Sequence, residues 1–128
     1  MNIYANTTNG ILNLRPNQDA DFAVAKELQE RLAIAANDDV AYIILDFSLA
    51  ALVSVATVRV IIDAAGKIHR RRGCIAITGA SQQFRSLLLI SDVLKIVPAF
   101  QSMEEAKTHL LSFQDEDDPY FDDKDKND

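Results

Sequence analysis

The feature that most constrains the fold of this 128-residue chain is an alternation of short apolar runs with segments of helical periodicity. Two continuous apolar runs, 40–47 and 74–80, have the length and composition of strands that are covered on both faces. Helical spacing of apolar residues precedes, separates and follows them, so the predicted order is β-β-α-β-α-β-α-β-α. Because helical crossovers join parallel neighbours, this order predicts an α/β domain with a mixed, mostly parallel sheet.

Local signals predict the first and last strands. Asn9-Gly10 lies between two short runs and is the preferred two-residue hairpin turn, because both residues tolerate a positive φ. The run 94–100 predicts a final strand, and Pro98 within it argues for an edge position because proline cannot donate to a central ladder. We therefore expect an antiparallel hairpin at the start of the chain and an edge strand near its end.

The helix starts are marked by short polar side chains that accept hydrogen bonds from free N–H groups in a first turn. The predicted N-caps are Asp19 or Asp21 for the first helix, Ser81 for the third, and Ser102 for the fourth. Glu105, three residues after Ser102, completes a capping-box pattern. The second helix is predicted from about Thr57, its expected N-cap, to Arg72, and Gly73 supplies its stop.

The charge of the chain is unevenly distributed. Its formal net charge is −6, and residues 115–128 account for all of it, with eight Asp or Glu against two Lys. Residues 1–114 carry eleven acidic and eleven basic side chains, so they lack the basic field that binding to nucleic acid needs. We predict one domain, 1–113, followed by an acidic tail, 114–128, which self-repulsion keeps disordered.

The chain offers little of what catalysis or metal binding needs. His69 and His109, the only histidines, lie on different predicted helices with no partner at ligand spacing. No G-x-S-x-G motif occurs, and the four glycines are not grouped as in a phosphate-binding loop. Cys74, the single cysteine, lies in an apolar run and is interpreted as a buried thiol in a reducing compartment. We expect a non-enzymatic protein without a metal or cofactor.

The hydropathy of the chain argues against a membrane protein. No uninterrupted apolar stretch approaches the roughly 18 to 20 residues that span a bilayer. We therefore expect a cytoplasmic chain that is not inserted in a membrane.

Two segments leave alternatives open. The basic run 67–72 is interpreted as a solvated helix end whose cations complement the helix dipole, although a partner patch or a contact with the acidic tail would also use it. The run 84–94 has more apolar residues than one buried helix face requires. Either neighbouring helices cover the surplus, or it forms an exposed patch for a partner or a second copy.

The order of elements, together with the stretch "LDFSLAALVSVATVRVII" at 45–62, resembles the STAS domain, the family of anti-sigma factor antagonists and of cytoplasmic domains of sulphate transporters. The stretch is similar to the family pattern L-D-L-S-x-x-x-x-I-D-S-S-G-L-x-V-L, and "FQSMEEAKTHL" at 100–110 is similar to its closing F-x-S-x-E-E-A-L. The resemblance covers about residues 3–113. It implies a single domain with about four helices packed mainly on one face of the sheet.

The resemblance also locates a site. In the antagonist branch, a serine at the start of the second helix is phosphorylated by a kinase that is also the anti-sigma factor. Position by position, the family's Asp-Ser-Ser-Gly loop corresponds to Ser54, Val55, Ala56 and Thr57. All four residues differ from the family pattern, and Ala56 occupies the position of the usual phospho-acceptor serine. Either the surface works without phosphorylation, which we favour, or Ser54 or Thr57 has become the acceptor.

The resemblance implies a non-catalytic module that binds a kinase-type anti-sigma factor or a related regulator in bacterial transcription signalling. The expected partner-binding residues are Val53, Ser54, Val55, Ala56, Thr57 and Arg59. Arg59 replaces a small residue of the family and is either a charged anchor or an uninvolved surface residue. An alternative role is an accessory subunit of a lipid or anion transporter complex. A small nucleotide-binding protein or enzyme is disfavoured because convergent polar groups are absent from the sequence.

Overall fold

The computed structural model describes the backbone of residues 2–116 and the side chains of residues 2–112. The strands are β1 (Ile3–Thr8), β2 (Ile11–Pro16), β3 (Tyr42–Asp46), β4 (Cys74–Thr78) and β5 (Ala99–Phe100). The helices are α1 (Phe22–Asn37), α2 (Val55–Arg70), α3 (Gln82–Ile90) and α4 (Met103–Glu116), with a 3₁₀ turn, η1 (Val93–Lys95), after α3. Helix α4 thus runs three residues past the predicted domain boundary at 113, and the rest of the predicted acidic tail, 117–128, lies outside the described residues.

The strands form one sheet in the order β1-β2-β3-β4-β5, in which β1 is antiparallel to β2 and every other neighbouring pair is parallel. Asn9 and Gly10 have φ values of 55° and 78°, as the predicted hairpin turn requires. The predicted mixed, mostly parallel sheet with an N-terminal hairpin is therefore confirmed.

Helices cover both faces of this sheet. Successive strand residues point to opposite faces, so Ile43 and Leu45 pack with α1, α2 and α3, whereas Ile44 packs with Ala106 and Leu110 of α4. Of the four helices in the described part of the chain, three therefore share one face, and the predicted arrangement is confirmed. A strand covered on both sides must be apolar throughout, which explains the continuous apolar runs of β3 and β4.

The last strand is shorter than predicted. Only Ala99–Phe100 pairs with β4, while Val93–Lys95 forms the 3₁₀ turn, so the prediction of a strand over 94–100 is wrong for most of its length. Between α3 and the 3₁₀ turn, Asp92 adopts the left-handed conformation, with a φ of 59°. Pro98 has no N–H to donate, but its carbonyl accepts a hydrogen bond from the N–H of Ile77 at 2.9 Å. The predicted edge position is confirmed.

The parallel strands place four connections at one end of the sheet, which we call the carboxyl edge. Strands β2, β3 and β4 end there and lead into α1, α2 and α3, and β5 ends at the same edge and leads into α4. Two of these helices have the predicted caps, since Asp21 Oδ1 accepts from the N–H of Val24 at 3.0 Å and Ser81 Oγ accepts from the N–H of Phe84 at 3.2 Å. Ser102 caps α4 in the same way, through the N–H of Glu105 at 3.2 Å. In parallel sheets the carboxyl edge is where functional loops gather.

Candidate functional site

The connection between β3 and α2, which we call the 47–54 loop, is anchored in the core at its first residue. Phe47 is fully buried, and its N–H donates to the carbonyl of Thr78 at 2.9 Å. Its ring lies 4.6 Å from the ring of Phe84, with an interplanar angle of 60°. The loop therefore starts from a rigid point rather than from a free chain end.

Next to this anchor, the loop passes very close to the connection after β4. Gly79 has a φ of +70°, and a Cβ atom at this position would lie 2.7 Å from the backbone nitrogen of Ser48. The N–H of Ser48 donates to Asp46 Oδ1 at 2.9 Å. The close approach is possible because Gly79 has no side chain and can adopt the left-handed conformation.

The β2–α1 connection holds the middle of the loop. Asp19 Oδ1 accepts from the N–H groups of Ala51, at 2.9 Å, and Leu52, at 3.1 Å. The N–H of Ala20 donates to Leu52, and the Ala20 carbonyl accepts from the N–H of Ser54, both at 2.8 Å. Of the two N-caps proposed for α1, Asp21 is therefore the cap, and Asp19 holds a loop more than thirty residues away instead.

The β4–α3 connection holds the loop from the other side. Ser81 Oγ donates to the carbonyl of Ala51 at 2.7 Å. The amide of Gln83 makes a two-point contact with Val53, accepting from its N–H at 2.8 Å and donating to its carbonyl at 2.9 Å. The sequence reasoning missed the roles of Asp19 and Gln83 in this site, because no local pattern indicates a contact across thirty residues.

The start of α2 differs from the prediction by two residues. The helix begins at Val55, and Ser54 is its N-cap, since Ser54 Oγ accepts from the N–H of Thr57 at 3.2 Å. The prediction of Thr57 as the cap is wrong, because its side chain points inward, is fully buried and donates to the carbonyl of Ala20 at 3.2 Å. The two hydroxyl oxygens are 3.0 Å apart. Both hydroxyls therefore serve the structure of the helix start.

The side chains of this region divide into buried and exposed groups. Among the predicted partner-binding residues, Val53 and Thr57 are buried, Ser54 and Ala56 are half-buried, and Val55 and Arg59 are exposed. Two further apolar residues that were not predicted, Leu49 and Leu52, are more than half exposed, as Val55 is. The surface of the site thus combines exposed apolar side chains, on a loop whose backbone is held in place and at the start of α2, with the charged side chain of Arg59.

The basic run 67–72 ends α2. Lys67, His69 and Arg70 lie in the last turn of the helix, where positive charge complements the dipole. Arg71 bonds to Asp39 Oδ1 and to the carbonyl of Val40, each at 3.0 Å, and so ties the end of α2 to the connection before β3. This geometry agrees with a helix end. The alternative contact with the acidic tail concerns residues that lie mostly outside the described part of the chain.

Other reactive groups do not gather at the loop. No group of three or more His, Cys, Asp or Glu side chains within the described residues is placed to hold a metal ion. Burial raises the pKa of the Cys74 thiol above its ordinary value, which favours the protonated form. In the described range no helix combines the length and the hydropathy needed to cross a bilayer.

The fold and the loop can be compared with known proteins. The family model of the STAS domain matches residues 2–106. No curated protein matches the chain significantly. Among solved structures, an anti-sigma factor antagonist from Mycobacterium paratuberculosis is similar with a TM-score of 0.77 and 13% identity, over 85% of this chain and 92% of that one.

Two more structures share the fold. The unphosphorylated anti-sigma factor antagonist SpoIIAA, a Bacillus cell fate determinant, has a TM-score of 0.75 and 14% identity, over 86% of this chain and 96% of that one. The murine anion transporter Slc26a9 matches 84% of this chain with 18% of its own length, at a TM-score of 0.67 and 14% identity. Together with the match of the family model over residues 2–106, the shared architecture means that this chain belongs to the STAS domain family.

Proposed function

We propose that this STAS domain is a non-catalytic protein-interaction module that binds a kinase-type anti-sigma factor or a related regulator. The contact surface comprises the 47–54 loop and the exposed side of α2, and we call it the loop surface. One observation carries the proposal: Leu49 and Leu52 are exposed on a loop whose backbone is held by side chains from two other connections, and Val55 is exposed at the start of α2 beside it. The proposal includes the cytoplasmic location and the signalling role that the family resemblance implies.

The hydrogen bonds of the loop explain why recognition suits it better than catalysis. The N–H groups of 51–54 all donate within the protein, to Asp19, Gln83 and Ala20. These four groups are therefore not available to hold a phosphate or a developing oxyanion. A fixed backbone that presents apolar side chains loses little conformational entropy on binding and offers a partner a desolvated contact.

The same geometry supports a surface that works without phosphorylation. The usual acceptor position is Ala56, Thr57 is buried, and Ser54 Oγ already accepts a hydrogen bond as the N-cap. A kinase would have to break the cap to reach Ser54 and open the loop to reach Thr57. Neither hydroxyl is presented to a second protein as a freely exposed serine would be.

A phosphorylation assay tests this part of the proposal. After incubation with the cognate kinase, mass spectrometry is expected to find no phosphate on Ser54 or Thr57. The matched variant Ala56→Ser restores a hydroxyl at the family position, and we expect phosphate on the introduced serine. Phosphate on Ser54 or Thr57 of the unchanged protein would show that the acceptor has moved.

A binding assay tests the loop surface itself. Val55→Asp is expected to weaken binding to a purified kinase-type anti-sigma factor by at least about tenfold, because it places a charge in an apolar contact. The variant should fold, since an acidic residue in the first turn complements the helix dipole. Ile34→Asp is the matched control: Ile34 is a β-branched helix residue that is 58% exposed, against 59% for Val55, and it lies on α1.

Isothermal titration calorimetry on both variants measures the difference. Equal affinity of the two variants for the partner would remove the loop surface from the contact. In the same series, Arg59→Glu decides whether Arg59 takes part, because a charge reversal in the contact changes the affinity and its salt dependence.

A second candidate function is an accessory subunit of a membrane transporter complex. The observation that favours it is the similarity to Slc26a9, which is an anion transporter. Affinity capture separates the two candidates, since an anti-sigma factor kinase identifies the first and a transporter ATPase identifies the second. A captured protein is accepted as a partner of the loop surface only when Val55→Asp no longer captures it and Ile34→Asp still does.

A further inference from the structure

Helix α3 and the turn that follows it carry an apolar surface that is exposed among the described residues. Ile90 is 82% exposed and Leu89 is 67% exposed, and Leu94 and Ile96 are exposed as well. With Asp92 and Lys95, these four residues form what we call the α3–η1 surface. The sheet-facing side of the same segment is already filled by Phe84, Leu88 and Val93, so the core does not need the exposed set. Of the two alternatives for the run 84–94, the structure supports the exposed patch.

An apolar groove borders this surface. It has a volume of about 280 Å³ and lies between α3 and β5, where its apolar lining includes Leu88, Leu89, Leu94 and Phe100. Ile90, the most exposed large apolar side chain among the described residues, directly follows Leu89 in α3. The surface therefore has both a projecting side chain and an adjacent recess of the same chemistry.

A pair of opposite charges lies in the same surface. Asp92 Oδ2 and Lys95 Nζ are 3.9 Å apart, and both side chains are largely exposed. A two-fold axis reverses the direction of a feature that lies perpendicular to it. If this charge pair lies perpendicular to the axis and meets its own copy, each aspartate comes next to a lysine, so that four charges of alternating sign lie together.

We propose that two copies of this chain associate through their α3–η1 surfaces around a two-fold axis. In this arrangement Ile90 of each copy enters the groove of the other, and Asp92 of each faces Lys95 of the other. The surface thus offers its own copy an apolar projection, an apolar groove and charges of both signs, as an interface between identical chains requires. A partner of another kind would have to supply an apolar projection, a groove and both charges in matching positions.

In the proposed dimer the groove reaches the carboxyl edge at Ala80 and Gln101, whereas Ile90 lies away from the loop surface. Helix α3 begins at the carboxyl edge and runs away from it, so that Ile90, at its far end, is about 12 Å along the helix from Gln82. Each dimer would then present two copies of the loop surface. A partner with two binding sites would gain from this arrangement, because its second contact forms within the complex.

Sedimentation velocity over a range of concentrations of the full chain provides the first test. We expect the unchanged protein to pass from monomer to dimer, and Ile90→Asp to raise the dissociation constant at least about tenfold. Ile34→Asp, which makes the same change at an exposed isoleucine of α1, is expected to dimerise as the unchanged protein does. A protein that stays monomeric up to its solubility limit, or equal effects of the two variants, would overturn the proposal.

A mixing experiment tests whether the α3–η1 surface meets its own copy. The Asp92→Lys variant has two lysines in the α3–η1 surface of each copy, and the Lys95→Asp variant has two aspartates. Each variant is expected to dimerise weakly with itself because like charges meet. An equal mixture of the two variants should form heterodimers at least as tight as the unchanged homodimer, because opposite charges again meet across the axis. Failure of the mixture to associate would exclude this pairing and leave a different partner as the occupant of the α3–η1 surface. Retained partner binding by Ile90→Asp separates this result from any failure of the loop surface.

Discussion

Replacing Phe84 with alanine is expected to lower the free energy of unfolding by about 3–5 kcal/mol, the usual cost of deleting a large buried aromatic side chain. The side chain is fully buried, and its ring packs at 4.6 Å against Phe47, the residue that anchors the 47–54 loop. A loss of this size is a large share of the total stability of about 5–15 kcal/mol that is common for single domains. The cavity would also remove the support of the loop surface, so partner binding should weaken in parallel.

Urea denaturation measures this effect, and the chain contains a matched control. Phe22→Ala makes the same chemical change at a phenylalanine of α1 that is 74% exposed, so its effect should stay within about 0.5 kcal/mol. Similar midpoints for the two variants, with unchanged slopes, would contradict the packing described for Phe84.

Replacing Gly79 with alanine is expected to cost at least about 2 kcal/mol. The left-handed conformation at φ +70° alone costs about 1–2 kcal/mol for a residue with a Cβ atom. The new Cβ would in addition lie 2.7 Å from the backbone nitrogen of Ser48, which cannot move without disturbing the start of the 47–54 loop. Because the obstacle is backbone rather than the end of a flexible side chain, a rotamer change does not relieve it.

Replacing Gly66 with alanine is expected to stabilise the protein, in contrast to the same change at Gly79. Gly66 lies in the interior of α2, and a Cβ atom at this position would meet no atom within 4 Å. Alanine there should raise the free energy of unfolding by about 0.5–1 kcal/mol, because glycine is a poor helix residue. Thermal unfolding of both variants checks the pair, and a Gly79→Ala protein as stable as the unchanged one would contradict the close approach of the two connections.

The parts of the fold that the sequence predicted depend on contacts between near neighbours. The hairpin at Asn9-Gly10 and the cap at Ser81 each involve residues no more than three positions apart, and both are confirmed. The continuous apolar runs predicted buried strands because a strand with helices on both faces has no polar side. The prediction of the last strand was wrong for most of its length because an apolar run occurs both in strands and in turns whose apolar residues face outward, as Leu94 and Ile96 do.

The position of the proposed site remains a prediction, and the structure adds how the loop at that position is built. The resemblance in "LDFSLAALVSVATVRVII" located the loop and identified Ala56 at the usual acceptor position. It assigned Val53 and Thr57 to the surface, whereas both side chains are buried, and it overlooked Leu49 and Leu52. Whether Val53 or its neighbour Leu52 faces solvent depends on the path of an irregular loop. A loop without repeating structure has no sequence period that predicts which side chains are exposed.

By itself the sequence determined the order of the elements, the hairpin, most of the helix caps and the family, because each of these depends on local patterns or on a shared motif. Only the tertiary structure decided how the 47–54 loop is held and which of its side chains face solvent. Asp19, Ser81 and Gln83 meet that loop from about thirty residues away in the chain, since parallel strands bring their carboxyl ends to one edge. The exposure of Ile90 was likewise settled by packing, because an apolar helix residue is buried only where a neighbouring element covers it.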